Sequence, residues 1–350
     1  MSKTKRILLS FALLLYGVFF GEVFLRLFSP VPMLPRYVKS TPYGIRGNSE
    51  NKTYRHKTAE YNIEIRTNSK GIRSYNEIPY EKPASTKRIV LLGDSFAMGY
   101  GVNLEDTFSQ RMLEYLRAEL DTPLELINLA TSGHGNGEEL IVLREEGLKY
   151  EPDLVLLSWH PTDLDDNIRS GLFAIDNGEL VQTSQEYLPA MKTRERLMNI
   201  PGYEFLIAHS QVYTLVREEA AKVIKRLLVS SPKKSAEKTK AAPTAPTWTK
   251  EDLSLAILNE IYEECETRNA NFLVLDVPER LSRTSFQSRF PKSNTELPYP
   301  VFSPLSSFSN VEGNPKLYWE KSHGHFTPLG CDLVGQGLAK TILSEGLLGD

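Results

Sequence analysis

Residues 88–102 constrain the fold of this chain more than any other segment. Residues 89–92 are apolar and end at Gly93, a pattern typical of a fully buried strand. Asp94 and Ser95 come next, and two more glycines lie within the following six residues. Open α/β sheets bind their ligands at the carboxyl ends of their strands, so this turn places a hydroxyl where such a sheet carries its chemistry.

Three further apolar runs alternate with helical patterns along the chain. Residues 124–129, 154–158 and 271–277 have the pattern of strands. Helical patterns cover residues 138–150 and 203–229, and others begin at capping residues Thr107, Thr249 and Thr327. Strands that alternate with helices form mainly parallel sheets covered on both faces. The sequence therefore predicts an α/β chain with a three-layer α/β/α architecture.

The N-terminus has the pattern of a membrane segment. Three basic residues precede residues 7–20, which are almost entirely apolar, and Glu22 and Arg26 interrupt the continuation of this run toward residue 28. No clear cleavage site ends the run, which favours an uncleaved signal-anchor over residues 1–28. A secretory peptide that is removed is the alternative. The basic residues keep the N-terminus in the cytoplasm, so in either case the rest of the chain is exported.

The remaining sequence suggests two further regions. Residues 29–83 are rich in Pro, Gly, Asn and Tyr, which predicts a stalk with a small β-rich lead-in, and residues 84–350 form the main domain. Within it, residues 230–248 lack large apolar side chains and are expected to be a disordered insertion. Cys265 and Cys331 lack metal-ligand spacing, and the sequence does not decide whether they form a disulfide.

Several polar loops could meet at the edge of the predicted sheet. A serine hydroxyl needs a base, and His325, just before the cap of the last helix, can supply one to Ser95. Acyl transfer also needs donors for an oxyanion, and the backbone N–H groups of Ser95 and Gly133 are candidates. Asp94 is expected to be a carboxylate that holds its own turn. Thr162 follows the third strand and reaches the same edge.

From residue 88 to the C-terminus the chain resembles the SGNH/GDSL hydrolases, a flavodoxin-like α/β/α family of serine esterases, lipases and carbohydrate O-acyl esterases. Gly93-Asp94-Ser95 matches the first motif, and the resemblance implies that Ser95 is the nucleophile. Gly133 matches the glycine that donates to the oxyanion, and His325 matches the base. The lead-in sequence at residues 68–73 also fits the membrane-anchored bacterial branch of the family.

Two positions depart from the family pattern. The third motif normally carries Asn-Asp, with the Asn as an oxyanion donor, whereas this chain has Thr162-Asp163. A threonine hydroxyl can donate, but its reach is shorter. The Asp that normally precedes the histidine is absent, so Glu320, Asp163 or a backbone carbonyl is left to orient His325, the last of these giving a Ser–His dyad. A further alternative is that His323, and not His325, is the base.

These observations predict a serine esterase or O-acyltransferase that acts on ester groups, expected to be O-acetyl, of an envelope or exported polysaccharide. The alternative is a catalytically impaired member of the same fold that binds a glycan or an envelope partner. Neither a metal nor an organic cofactor is expected. A net charge of −3 without a basic patch argues against nucleic acid as a partner. The expected location is the inner membrane, crossed once, with the catalytic domain on the periplasmic side, and the oligomeric state is left open.

Overall fold

The computed structural model describes residues 2–230, 247–313, 315–322 and 324–349. Most of the predicted insertion, and His323, lie outside the described residues. The strands are β1 Val38–Ser40, β2 Arg46–Asn48, β3 Thr53–Lys57, β4 Asn62–Arg66, β5 Lys87–Gly93, β6 Leu124–Asn128, β7 Leu154–Trp159, β8 Phe173–Asp176, β9 Glu179–Gln182, β10 Asn271–Asp276, β11 Glu279–Arg280, β12 Phe286–Gln287 and β13 Val301–Phe302. The α-helices are α1 Lys3–Phe28, α2 Phe108–Glu119, α3 Asn136–Glu145, α4 Asp163–Ser170, α5 Met191–Met198, α6 Tyr203–His209, α7 Gln211–Ser230, α8 Lys250–Glu266, α9 Leu305–Ser309 and α10 Pro328–Ser344.

The chain divides into two compact units. Among the described residues, the anchor unit contains 2–36, 54–62 and 193–230. The site unit contains residues 37–53 and 63–192, together with the described residues from 247 onward. The candidate site residues that are described all belong to the site unit, and α1 belongs to the anchor unit.

A five-stranded parallel sheet forms the centre of the site unit. Its strand order is β13-β10-β7-β5-β6, and every neighbouring pair is parallel. After β6 the chain crosses back over β5 to form β7, so the winding reverses between β5 and β7. The carboxyl ends of these two strands form the topological switch point, where sheets of this kind bind ligands.

Helices cover both faces of this sheet. Val90 and Leu92 of β5 belong to one buried cluster with residues of α3 and α8. Side chains alternate between the faces of a strand, so Ile89 and Leu91 face the opposite side. There α2 and α10 pack against each other. The three-layer α/β/α fold predicted from the sequence is confirmed.

Two helical predictions differ from the structure in detail. The helix expected over 138–150 is α3 followed by a separate 3₁₀ turn, Gly147–Tyr150. The pattern over 203–229 forms two helices, because Ser210 adopts an extended backbone and its Oγ accepts from the N–H of Tyr213. Serine favours such caps since its hydroxyl competes with the helical hydrogen bonds. Between β10 and α10, residues 278–316 are largely irregular and contain the short elements β11, β12, β13 and α9.

A buried arginine ties the lead-in to the start of the central sheet. Arg88, the second residue of β5, is fully buried and its Nε donates to Glu125 Oε2 at 2.8 Å. Its other nitrogens donate to main-chain carbonyls, including that of Tyr80 at 2.6 Å and that of Tyr150 at 3.0 Å. Because a buried guanidinium without partners is costly, these bonds fix residues 79–81 against the sheet.

Candidate active site

The loop of the candidate nucleophile Ser95, residues 93–102 and here called the nucleophile loop, leaves β5 through a turn that requires glycine. Gly93 has φ 149°, and a Cβ at this position would lie 2.6 Å from Ala97 Cβ and 3.1 Å from Ser158 Cβ. Asp94 Oδ1 accepts from the N–H of Phe96 at 2.8 Å, which is the turn-holding role expected for this carboxylate. The loop thereby presents Ser95, which is half-buried, at the end of an interior strand.

Ser95 and His325 meet although 230 residues separate them in the chain. His325 Nε2 lies 2.8 Å from Ser95 Oγ, which is hydrogen-bonding distance for a nucleophile and its base. For Nε2 to accept the hydroxyl proton, the proton of the neutral imidazole must be on Nδ1. The geometry therefore suits proton abstraction from Ser95.

Backbone bonds and aromatic contacts hold the His325 ring in place. The His325 carbonyl accepts from the N–H of Trp319 at 2.8 Å. The imidazole centroid lies 4.7 Å from that of Phe96 and 5.7 Å from that of Tyr100. His325 is consequently buried, and its ring is packed against side chains of the nucleophile loop itself.

The two carboxylates suggested as supports for His325 have other partners. Glu320 forms ion pairs with Arg283 at 3.7 Å and with Lys316 at 3.6 Å. Asp163 Oδ2 accepts from Asn136 Nδ2 and from the N–H of His160, each at 3.0 Å. In these contacts Asp163 holds the turn that follows β7.

The second loop, residues 129–135, is bound to the nucleophile loop. Thr131 N–H donates to the carbonyl of Gly93 at 3.0 Å, and Asn128 Nδ2 donates to the carbonyl of Ala97 at 2.8 Å. Gly133 has φ +82°, a conformation that side chains other than glycine rarely adopt. These bonds bring the second loop beside the turn that carries Ser95.

Two backbone donors at this site are open. Within the described ranges, the N–H groups of Ser95 and Gly133 donate to no other protein group. The carbonyl of Gly133 is occupied, because it accepts from Arg46 Nη2 at 2.7 Å. Unoccupied, preorganised N–H groups beside a nucleophile are what a developing oxyanion requires.

The hydroxyl of Thr162 has a different partner from the one expected. Thr162 Oγ1 lies 2.8 Å from His160 Nδ1, and the Thr162 N–H also points to this nitrogen at 3.3 Å. Since Nδ1 accepts from the backbone N–H, the proton of the neutral ring is on Nε2. The hydroxyl can then donate to Nδ1, which removes it from the set of open donors.

His160 has a larger part in the site than its sequence context indicates. Its ring stacks on Phe96 with centroids 4.7 Å apart and an interplanar angle of 24°. Burial lowers the pKa of His160 to about 4, so the ring is neutral at neutral pH. Phe96 thus contacts the rings of both His160 and His325. The sequence signal for His160 is its place at the end of β7.

A buried acidic network supports the third loop, which runs from the end of β7 to the first residue of α4 (residues 160–163). Burial, followed by the neighbouring Glu139 and Asp94, raises the pKa of Asp163 well above its ordinary value. Asn136 Nδ2 bridges the two carboxyls, lying 3.0 Å from Asp163 and 3.1 Å from Glu139. Asn136 Oδ1 accepts from Ser254 Oγ at 2.9 Å. Asn136 thereby ties the two buried carboxyls to Ser254 of α8.

Two residues of the lead-in hold the candidate loops, and the sequence did not indicate either. Arg73 is buried, and its Nη1 donates to the carbonyls of Met98 and Gly99, each at 2.6 Å. Arg73 Nη2 donates to the carbonyl of Val102 at 2.8 Å. Arg46 supports the second loop in the same way, through Gly133. The lead-in is therefore part of the site's framework.

A cleft of about 500 Å³ lies between the lead-in and the second loop. Tyr43, Tyr80 and several charged side chains line it, and Ser95 and His325 are not among its lining residues. Thr131 and Arg46 connect it to the loop of Gly133. Its main polar lining residues are Lys39, Arg46, Asn48, Glu50, Lys70 and Glu146. This mixture of rings and paired charges suits a hydroxyl-rich ligand.

The described residues contain no group of three or more His, Cys, Asp and Glu side chains that could hold a metal ion. Cys265 and Cys331 are both buried and unbridged, and burial raises the pKa of each thiol to about 12. The sequence had left their pairing open.

No family model and no curated protein matches this chain. Solved structures with a similar arrangement include a lipase from a goat rumen metagenome (16% identity, TM-score 0.38, covering 73% of this chain and 96% of the lipase). An acetyl xylan esterase, AlAXEase, has 12% identity and a TM-score of 0.40, and the match covers 73% of this chain and 99% of that esterase. The esterase EstA from Pseudoalteromonas has 14% identity and a TM-score of 0.38, and the match covers 74% of this chain and 98% of EstA. At this distance the similarities carry no conclusion about the activity of this chain.

Proposed function

We propose that this protein is a serine esterase or O-acyltransferase of the SGNH/GDSL type. The observation that carries the proposal is the 2.8 Å contact between His325 Nε2 and Ser95 Oγ at the carboxyl end of β5. Two open N–H groups, of Ser95 and Gly133, support it. A nucleophile, a base and oxyanion donors at one sheet edge are the parts that acyl transfer needs.

The reaction follows from these parts. Ser95 Oγ attacks the ester carbonyl while His325 Nε2 takes its proton, and the N–H groups of Ser95 and Gly133 stabilise the oxyanion. His325 returns the proton to the leaving alkoxide as the tetrahedral intermediate collapses to an acyl-enzyme. Water, or an acceptor hydroxyl, then attacks the acyl-enzyme as His325 removes its proton. The second tetrahedral intermediate expels Ser95 Oγ, which takes the proton back from His325. The products are the alcohol released in the first step and a carboxylic acid or a new ester.

The proposed substrate is an O-acyl group, expected to be O-acetyl, on an envelope or exported polysaccharide. The resemblance and the export signal motivate this choice, and the polar cleft beside the second loop supports it. The proposed location is the inner membrane, with α1 as a single span and the site unit outside the cytoplasm. Helix α1 is long and apolar enough to span a membrane, with a mean hydropathy of 2.1 over its most apolar 18-residue window.

A glycan-binding protein without activity is the second candidate. The observation that favours it is the bond between Thr162 Oγ1 and His160 Nδ1, because it removes the side-chain donor expected at the third motif. In a well-studied protease, loss of one such donor costs about 10²–10³ in rate. Catalysis slowed by that factor remains measurable, so the two candidates make different predictions.

Labelling by a fluorophosphonate tests the enzyme proposal. The full-length protein in detergent should be labelled and should hydrolyse p-nitrophenyl acetate, and Ser95→Ala should abolish both. Ser74→Ala, which removes a half-buried serine outside the site, is the matched control and should behave like wild type. The result would favour the glycan-binding protein if the wild type is folded, as Ser95→Ala is, but is not labelled by the fluorophosphonate and does not hydrolyse p-nitrophenyl acetate.

A second measurement separates hydrolase from transferase. Acetyl transfer from p-nitrophenyl acetate to a soluble oligosaccharide can be followed by mass spectrometry alongside release of acetate. A transferase should form the acetylated sugar faster than acetate, whereas an esterase should release acetate at a rate that does not depend on the sugar.

A further inference from the structure

The end of α1 carries two charges that bind to helices α6 and α7 of the anchor unit. Glu22 accepts from the N–H of Gln211 at 3.2 Å and from that of Val212 at 3.1 Å, at the start of α7. Arg26 Nη2 donates to the carbonyl of His209, the last residue of α6, at 2.8 Å. Glu22 is negative and binds the partially positive N-terminal end of α7, whereas Arg26 is positive and binds the partially negative C-terminal end of α6.

Further contacts fix α7 against α1 and the chain that follows it. A Cβ on Gly21 would lie 3.0 Å from Val212 Cγ2, so the two helices are close at this point. The Val31 N–H donates to Gln211 Oε1 at 3.0 Å, and Thr214 Oγ1 lies 3.4 Å from Met33 Sδ. The start of α7 is therefore held at the level of the last two turns of α1.

The same two helices and the turn before them expose a set of large apolar side chains, the α6–α7 apolar surface. Its residues are Ile200, Phe205, Leu206, Leu215, Val216 and Val223. Phe205 is 68% exposed and Val216 is 61% exposed. Exposed apolar side chains at this density mark a contact with a membrane or another protein.

The length of α1 indicates whether a membrane or another protein covers the α6–α7 apolar surface. Residues 7–28, in which Glu22 and Arg26 are the charged side chains, form about 33 Å of helix, which matches a hydrocarbon thickness of about 30 Å. A span of that length places Glu22 and Arg26 within the outer edge of the hydrocarbon. Charges at that depth need partners inside the protein, and α6 and α7 supply them. The two helices must then reach the bilayer themselves.

We propose that α6 and α7 lie in the outer interface of the bilayer beside α1, with the α6–α7 apolar surface among the lipid acyl chains. Phe24 and Leu27 of α1 lie near the same level and are 57% and 69% exposed. One lipid environment therefore covers these side chains and the α6–α7 apolar surface. The anchor then consists of a span and an interfacial helix pair joined through Glu22 and Arg26. This proposal does not depend on the chemistry of Ser95.

Spin-label accessibility in the full-length protein tests the proposal. Labels are attached to Phe205→Cys and Val216→Cys in nanodiscs of phosphatidylethanolamine and phosphatidylglycerol, with Arg217→Cys as the matched control. Arg217 neighbours Val216 but projects about 100° away around the helix. The native thiols are buried, so the unsubstituted protein measures their background labelling.

At positions 205 and 216, collisions with oxygen should exceed collisions with a water-soluble nickel complex severalfold, and the order should reverse at 217. Equal nickel access at all three positions would place the surface in water and overturn the proposal. Protection from both reagents at 205 and 216 would show that protein, such as a second copy, covers the surface, and would also overturn it.

Tryptophan fluorescence gives a second measurement that needs no thiol chemistry. Lipids brominated on their acyl chains should quench the added fluorescence of Val216→Trp more than that of Arg217→Trp. Equal quenching of the two variants would contradict the proposed orientation of α7.

Discussion

The nucleophile loop and the third loop both follow interior strands of the same sheet, yet their polar groups are used differently. In the nucleophile loop the Ser95 hydroxyl is half-buried and bound to a base from the far end of the chain. In the third loop the Thr162 hydroxyl binds His160, and Asp163 binds Asn136. A motif match by residue type indicates Ser95 as the candidate nucleophile, but it cannot tell which donors the protein uses for itself. Substitutions in the two loops and in their supports test this contrast.

Removal of the base should have the largest effect. His325→Ala should lower kcat for p-nitrophenyl acetate by about 10³–10⁴, since Ser95 then has no proton acceptor. The double variant with Ser95→Ala should lose little more, because the two residues act as a unit. Steady-state kinetics measures both, and additive losses would argue against a shared step. His209→Ala, on α6 of the anchor unit, is the matched control.

Substitutions in the third loop should separate His160 from Thr162. His160→Ala should lower kcat about 10²-fold with little change in KM, if its Nε2–H replaces the donor missing at position 162. Thr162→Ala should cost only a few fold, because its hydroxyl acts through His160. Equal losses of kcat in the two variants, or a change in KM alone in His160→Ala, would assign His160 to substrate binding.

Loss of the lead-in clamp should affect both rate and stability. Arg73→Ala removes the donor to three carbonyls of the nucleophile loop, and we expect about a tenfold lower kcat and about 2 kcal/mol less stability. Arg66→Ala, an exposed arginine of β4, is the matched control. Kinetics and thermal unfolding should both distinguish the pair. Unchanged kinetics in Arg73→Ala would show that the loop holds its shape without the clamp.

The prediction with the smallest expected effect on the reaction rate concerns the pH dependence of stability. Burial raises the pKa of Glu138, which caps the start of α3, from 4.5 to about 7. The folded state therefore binds this proton more tightly than the unfolded state, so stability falls as the pH rises from about 4.5 through 7. At about 1.4 kcal/mol per pKa unit, the difference between 4.5 and about 7 amounts to at most about 3.5 kcal/mol.

Glu138→Gln should flatten this part of the stability profile, measured as Tm between pH 5 and 8. Glu119→Gln, on the exposed end of α2, is the matched control and should leave the slope unchanged. Equal slopes in wild type and Glu138→Gln would show that the carboxyl titrates alike in both states.

Much of the fold was predictable because its signals are local. The apolar run of β5, the caps Thr107 and Thr327 and the alternation of strands with helices all act within a few residues. The break between α6 and α7 was missed, because Ser210 ends one helix and caps the next inside a continuous helical pattern. The clamps by Arg46 and Arg73 were also missed, since an arginine that binds carbonyls far along the chain leaves no pattern.

The sequence by itself determined the class of sheet, the glycine turn that presents Ser95, and an apolar N-terminal helix. Each of these follows from backbone sterics or from hydrophobic periodicity, which are properties of neighbouring residues. The tertiary structure decided that His325 reaches Ser95, and that Glu22 and Arg26 bind α6 and α7. These choices depend on groups distant in the chain, which compete for hydrogen bonds only once burial has removed water from them.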